Sequence, residues 1–210
     1  MNGKNISNSC IRRLPRYYRF LGELKSKGVL RISSGEFAKK TGLTASQIRQ
    51  DLNCFGDFGQ QGYGYNIELL HGEIGKILGL NVPKKVILIG VGNLGKAVAQ
   101  HINFESMGYQ LVGIFDKKEA LSGQIVRGLP VRNINGLDEF CREINPTVAI
   151  LCIPKDAAAV TVNQLTGLSV KAFWNFSHYD IKVNNPEVIV ENMHFGDSLM
   201  TLSYRLNNQI

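Results

Sequence analysis

The chain has 210 residues, a formal net charge of +7, 44% hydrophobic and 20% charged side chains, an ordinary globular balance with no apolar run near the ~18 residues of a membrane span. The length predicts two compact domains, and the polar stretch 1–9 lacks an apolar segment with a small-residue cleavage site, so a cytoplasmic location is expected. Cys10, Cys54, Cys141 and Cys152 contain no C-x-x-C pair, which points away from a zinc site or a disulfide framework and towards small buried hydrophobes. Residues 1–80 carry twelve Lys and Arg against six Asp and Glu, whereas residues 81–210 carry twelve against eleven. Positive charge concentrated in one segment favours a polyanionic partner there.

Ile11, Leu14, Tyr18, Leu21 and Leu24 recur at helical spacing among Arg12, Arg13, Arg16, Arg19, Lys25 and Lys27. They predict a basic amphipathic helix that Pro15 interrupts near its start and Gly28 stops. Ser33-Ser34-Gly35-Glu36 and Thr44-Ala45-Ser46-Gln47 each fit a capping box, so two short helices meet around Thr41-Gly42. A helix, a Gly-containing turn and a second helix over about 45–55 form a helix-turn-helix pattern. The second helix offers Ser46, Gln47, Arg49, Gln50 and Asn53 to base edges in a major groove. Residues 56–65, glycine-spaced and carrying Tyr63, run into the alternating Tyr65-Asn66-Ile67-Glu68 like the hairpin wing of a winged helix. A three-helix module that never touches DNA shares much of this pattern, and the basic charge and the wing favour the DNA reading. A stripe of Leu69, Leu70, Ile74, Ile77 and Leu78 then closes at Gly79, and Asn81-Val82-Pro83 breaks the chain.

Val86-Ile87-Leu88-Ile89 is a buried strand that runs into Gly90-Val91-Gly92-Asn93-Leu94-Gly95 and an Ala-rich helix. A second strand, 110–115, follows and ends in Asp116, 21 residues beyond Gly95. This is the context in which G-x-G-x-x-G marks a dinucleotide site. Gly90 permits the tight turn, Gly92 lets the backbone approach a pyrophosphate, Gly95 lets the helix pack on its strand, and the helix N-terminus favours the anion. Asp116 suits the adenosine ribose hydroxyls and favours NAD(H) over NADP(H), with Lys117 beside it. Another nucleotide or coenzyme A stays open on this pattern.

Strands over 146–154 and 170–176 and a helix over 155–165 complete a doubly wound parallel α/β sheet. Their carboxyl ends put Pro154, Asn175 and His178 near the nicotinamide, with Asn175 placed for the carboxamide. For His178 a solvated or structural role is an equal alternative. Phe195, Leu199, Leu202 and Leu206 form an amphipathic helix after the sheet, expected to pack on its own domain or on a second subunit. The resulting division is a DNA-binding domain 1–81, a nucleotide-binding domain 82–192 and a C-terminal helix 193–210. No metal site and no catalytic residue are expected.

Arg13-Leu14-Pro15, Ser33-Ser34, Arg49-Gln50-Asp51-Leu52, Phe55-Gly56, Gly62-Tyr63-Gly64-Tyr65, Gly90 to Gly95, Phe115-Asp116, Asn175-Phe176 and Leu202-Ser203-Tyr204 together resemble the Rex family of bacterial redox-sensing transcriptional repressors. The resemblance implies a homodimer joined through exchanged C-terminal helices, with winged-helix domains on a palindromic operator and Rossmann domains binding NAD+ or NADH. The resemblance implies further that NADH weakens the grip on DNA and NAD+ permits it. It also implies phosphate contacts by Arg12, Arg13, Arg16, Ser33 and Ser34, base contacts by Arg49 and Gln50, and an interdomain switch built from the positions of Arg19, His101 and His194. The chain departs from the family pattern at Gln50, where a lysine is usual, at His101 for tyrosine and at His194 for aspartate. The last two predict a weak or lost NADH response as the alternative to a redox-controlled repressor. A remote alternative, an NAD-dependent oxidoreductase, lacks a Tyr-x-x-x-Lys or a His and carboxylate pair placed for proton transfer.

Overall fold

A computed structural model describes residues 6–56, 58–60, 63–183 and 185–208. Of the expected wing, Asp57, Gln61 and Gly62 lie outside these. The chain divides into two compact units, Met1–Val82 and Pro83–Ile210.

In the first unit Ser7 caps α1 (Asn8–Ser26) by accepting from Cys10 N–H, and the helix runs unbroken through Pro15, where an interruption was expected. Proline removes one helical hydrogen bond and crowds the preceding turn. Burial of Leu14, Tyr17 and Leu21 on one face holds both sides of that defect in a single helix. After β1 (Arg31–Ile32), α2 (Ser34–Thr41) opens on a complete Ser33/Glu36 capping box and stops at Gly42, in the left-handed conformation with φ +65°. Thr44 caps α3 (Ala45–Asn53), then β2 (Gly59–Gln60) and β3 (Gly64–Asn66) form the wing, and α4 (Ile67–Ile77) closes the unit. The three strands lie in the order β1-β3-β2, all antiparallel. Phe37, Ile48, Leu52, Ile67, Leu70 and Ile74 join the α1 stripe in one core.

A carboxylate lies at the edge of that core. Asp51 is 2% exposed and receives Arg13 through Nε at 2.6 Å and Nη2 at 2.7 Å, Tyr17 Oη at 2.6 Å and Gln47 Nε2 at 2.9 Å. Burial alone would raise its pKa. The donors from Arg13, Tyr17 and Gln47 outweigh that and hold it below the usual carboxylate value, since hydrogen bonds to the charged form favour it.

The second unit is a seven-stranded sheet in the order β10-β9-β8-β4-β5-β7-β6, parallel except for β6 against β7. Its strands are β4 (Lys84–Ile89), β5 (Tyr109–Asp116), β6 (Ile125–Val126), β7 (Leu129–Asn133), β8 (Val148–Leu151), β9 (Ala172–Asn175) and β10 (Ile189–Asn192). Residues of β4 alternate between faces. Val86 and Leu88 pack with Val98 and Ala99 of α5 (Asn93–His101). Ile87 and Ile89 pack with Phe140 of α6 (Leu137–Ile144) and Val162 of α7 (Lys155–Thr166). Arg127, at φ +50°, ties the end of α5 to the β6–β7 hairpin by donating to Ala99 O, Ile102 O and Glu105. The order reverses between β4 and β8, where open α/β sheets form a ligand crevice at their carboxyl ends. The final helix α8 (Phe195–Asn207) has no buried residue, and Phe195, Leu199, Met200, Leu202, Tyr204 and Leu206 are all exposed. Among the described residues no helix is long and apolar enough to cross a membrane.

The Asp51 cluster generates a stability prediction. Asp51→Ala leaves Arg13 and Tyr17 without their acceptor and should cost about 3 kcal/mol by chemical denaturation. Because the folded pKa is depressed, the carboxylate's contribution is complete above the ordinary value and fades as pH falls below it. The wild-type chain should therefore lose stability on acidification more steeply than the Ala variant.

Candidate functional site

The first unit presents a polar face around α3. Ser46, Arg49 and Gln50 are exposed, and Arg49 Nη1 donates to Ser34 Oγ at 2.9 Å, tying α3 to the start of α2. Arg12, Arg16 and Arg19 are exposed on α1, and Arg16 Nη2 lies 3.9 Å from where a Cβ on Gly42 would stand, beside the α2–α3 turn. Two residues read from sequence as DNA contacts are committed inside the unit. Arg13 gives Nε and Nη2 to Asp51, and Gln47 gives its amide to the same carboxylate. Ser33 Oγ both accepts from Glu36 N–H and donates to Glu36 Oε2, so a phosphate there would meet a carboxylate. That leaves Ser34 the better placed of the two serines. On the wing Tyr63 is 70% exposed. Arg31, which sequence periodicity did not single out, donates to Tyr63 O at 3.2 Å with its guanidinium carbon 6.0 Å from the Tyr63 ring centre.

In the second unit the turn from β4 to α5 forms one wall of a cleft of about 610 Å³. Gly90 has φ +93°, and a Cβ there would come 2.4 Å from Cys152 O. A Cβ on Gly95 would come 1.9 Å from Gly90 O, so α5 packs against its own turn. At Gly92 a Cβ would meet nothing within 4 Å. Steric necessity therefore fixes residues 90 and 95, while residue 92 faces open space where a backbone can approach a ligand. Gly92 occupies the N-cap position of α5 and supplies no side-chain cap, leaving the helix N-terminus open to an anion. Asp116 is 8% exposed. Its Oδ2 accepts from Val91 N–H at 2.6 Å and its Oδ1 from Lys118 N–H at 2.8 Å, which leaves one lone pair on each oxygen.

Of the residues read from sequence, Gly90, Val91, Gly92, Asn93, Asp116, Lys117 and Pro154 line this cleft, joined by Lys96, Lys118, Leu121 and Ile134. Lys96 sits one turn into α5, a position the glycine pattern does not specify. Leu94 packs on the core and Gly95 is buried beneath the turn. Asn175 and His178 do not line it. Asn175 is 1% exposed, and its Nδ2 donates to Tyr179 O at 2.7 Å and Asn192 Oδ1 at 2.8 Å. His178, at φ +56°, lines a separate cavity of about 540 Å³ with Tyr179, Asp180 and His194.

Residues 5–53 match a family model described as a putative DNA-binding protein N-terminus, and residues 81–179 match a CoA binding domain. The chain is 51% identical over 204 residues to the redox-sensing transcriptional repressor Rex of Thermoanaerobacter sp., covering 97% of this chain and 91% of the relative. It is 48% identical over 207 residues to that of Clostridium tetani, covering 98% and 97%. The chain belongs to the Rex family. Among solved structures it is similar to RSP in complex with β-NAD+ and operator DNA, with TM-score 0.91 and 50% identity over 98% of this chain and 94% of that one. It is also similar to RSP in complex with β-NADH, with TM-score 0.90 and 47% identity over 98% and 96%.

Against the Rex pattern, His101 ends α5 and is exposed. His194 stands at the N-cap of α8 with Nε2 2.8 Å from Asp180 Oδ1. His194 thus has a carboxylate partner of its own in Asp180, fourteen residues earlier. The hydrogen bond to Asp180 raises the His194 pKa above its ordinary value.

Two predictions follow from these placements. Gly92→Val should leave the melting temperature within a degree or two and remove dinucleotide binding, whereas Gly95→Val should cost several kcal/mol, on the order of a severe overpacking. Calorimetry and thermal melts on both variants check the contrast. For His194, the protonated pair with Asp180 is complete below the ordinary histidine value of about 6.5 and lost as pH rises through the higher folded value. An NMR titration should show a His194 midpoint above that of a free imidazole, returning towards it in Asp180→Asn.

Proposed function

We propose that the chain is a DNA-binding transcriptional repressor, a regulator and not an enzyme, whose hold on a palindromic operator follows the NADH/NAD+ ratio. One chain joins a basic winged-helix unit with an open α3 face to a Rossmann unit whose Gly92 faces free space beside Asp116. That conjunction carries the reading, and the likeness to RSP bound to β-NAD+ with operator DNA and to β-NADH supports it. In this reading residues 1–81 bind DNA, residues 82–192 bind the nucleotide, and residues 193–210 pair two subunits. Work on an operator sets its place in the cytoplasm.

On DNA, Arg49, Gln50 and Ser46 reach base edges from α3, and Arg12, Arg16, Ser34 and Tyr63 meet phosphates. Arg13 joins α1 to α3 through Asp51, and Gln47 of α3 meets the same carboxylate. Base contacts set specificity and phosphate contacts set affinity and its salt dependence. The residues of the cleft fit a dinucleotide. Gly92 and the N-terminus of α5 take the pyrophosphate with Lys96 beside it, and the two free lone pairs of Asp116 take the ribose hydroxyls. When bound, the nicotinamide supplies the redox signal, since its oxidised ring is cationic and its reduced ring neutral. A ligand shifts an equilibrium only by its difference in affinity for the two states, and a tenfold change in operator affinity needs about 1.4 kcal/mol of coupling.

A second reading, the same dimer with a weak NADH response, draws on His101 and His194 in place of the family's tyrosine and aspartate. Fluorescence anisotropy on an operator duplex separates the two, with saturating NADH, saturating NAD+ or neither. The sensor reading expects NADH to weaken binding more than about tenfold. Arg49→Ala should cost about 1–3 kcal/mol on operator and less on random duplex. No NADH effect in the wild type, restored in the His101→Tyr, His194→Asp double variant, would favour the second reading.

A further inference from the structure

Two cysteines of the winged-helix unit meet on the last turn of α3. Cys10, near the start of α1, is 2% exposed, and its thiol donates to Asp51 O at 3.7 Å. Cys54 caps the end of α3, and its own N–H donates to that same oxygen at 3.3 Å. The Cys54 Sγ lies 3.3 Å from Gln50 O, the neighbouring carbonyl of the helix. The two thiols thus rest on adjacent carbonyls of one turn, although they belong to different helices.

Their surroundings differ. Burial first, then the charge of Asp51 and the nearness of Cys54, push the Cys10 thiol up to about 12, so it stays protonated at neutral pH. Cys54 is half-buried and open to a small oxidant. Inside cells thiols are ordinarily reduced, and the pairs that oxidise do so transiently, as sensors. A partly exposed thiol that becomes a sulfenic acid is captured by a second thiol beside it.

We propose that Cys10 and Cys54 form a reversible disulfide under peroxide, and that this bond loosens the grip of α3 on DNA. The Cys54 thiolate attacks one peroxide oxygen, the O–O bond breaks, and the departing hydroxide takes up a proton as water. Cys54 is then a sulfenic acid, oxidised by two electrons at the expense of the peroxide. The Cys10 sulfur attacks the Cys54 sulfur, the S–O bond breaks, and the Cys10 proton leaves with the hydroxide as a second water. Closing an S–S bond of about 2 Å takes both sulfurs off their carbonyls and draws the end of α3 towards the start of α1. Asp51 lies on that turn and receives Arg13 and Tyr17 of α1, so the shift reaches the joint between the helices and re-aims the polar face of α3. The effect on DNA rests on the operator reading given above, and the bond itself does not.

The test uses the full chain, reduced and then exposed to hydrogen peroxide, with operator affinity read by fluorescence anisotropy. Peptide mass spectrometry without reductant should find Cys10 joined to Cys54. Operator affinity should fall at least about fivefold, the lower end of ordinary coupling, and a thiol reductant should reverse both changes. Cys54→Ser and Cys10→Ala should keep the affinity of the reduced chain and lose the response to peroxide. In Cys10→Ala the Cys54 sulfenic acid, left without its partner, should be trapped by dimedone. Cys54 is not in the core, so Cys54→Ser carries the test even where Cys10→Ala folds poorly. A joined peptide with unchanged affinity, a bond through Cys141 or Cys152 instead, or an equal peroxide-driven loss in Cys10→Ala would each overturn the proposal. So would a chain that binds operator and forms no bond. A chain that forms the bond and binds no operator when reduced would overturn the operator reading, and the DNA half of this proposal with it.

Discussion

The first turn of α5 lies so close to the end of β4 that a single added carbon at residue 95 would stand 1.9 Å from Gly90 O. With the helix pinned there, its N-terminal N–H groups rise at the carboxyl edge of the sheet, at the point where strand order reverses. Gly90 meets the β8 side of the same crevice with 2.4 Å between its missing Cβ and Cys152 O. Asp116 closes the third side by accepting from Val91 N–H, so the end of β5 and the glycine turn are held together before any ligand arrives. The cleft is therefore preorganised: its shape follows from backbone contacts that tolerate no side chain, and a bound nucleotide has little ordering left to do.

The winged-helix unit solves a different problem, that of aiming a short helix. Nine residues of α3 have little intrinsic stability, and their orientation depends on what holds the inner face. Ile48 and Leu52 are buried, and Asp51 adds direction by gathering donors from α1 and from its own helix. Arg13 contributes a bidentate fork, the geometry that constrains both partners most. Some of the positive charge that composition assigns to DNA therefore works inside the protein. The exposed cations Arg16 and Arg49 depend on it, because they sit on the two helices that Asp51 joins.

Local signals carried much of this into the sequence. The strand before Gly90, the helix after it and Asp116 lie within one βαβ span whose spacing is diagnostic, and the two N-cap signals place the starts of α2 and α3, although only Ser33/Glu36 closes a capping box, the Gln47 side chain going to Asp51 instead. Short or distant features were less legible. The two-residue β6 and the four-residue β10 are too brief for periodicity to register. Tyr17 falls beside the expected stripe of Tyr18, and its burial reflects the Asp51 cluster as much as helix phase. Asn175 reads as a cofactor contact by position, and only Asn192, seventeen residues on, shows that its donors are taken. Arg13, Gln47 and Asp51 are separated by up to 38 residues, so no local pattern distinguishes an arginine turned to a carboxylate from one turned to a phosphate.

The last helix links the two halves of the proposed mechanism. Thirteen residues is about the length at which an isolated helix is marginal in water, and α8 buries none of its six large apolar side chains. A helix of that kind needs a surface to cover it, and in a two-fold dimer the same surface is offered reciprocally, so every contact acts twice. Dimeric helix-turn-helix proteins place their recognition helices one DNA turn apart, about 34 Å, or multiples of it. A nucleotide need not touch the DNA face to release an operator. It has only to favour one seating of α8 over another by about 1 to 2 kcal/mol, on the order of five- to thirty-fold, which allosteric coupling commonly reaches. The residue at the N-cap of α8 is His194, hydrogen-bonded to Asp180 in the loop that follows β9 at the carboxyl edge of the sheet.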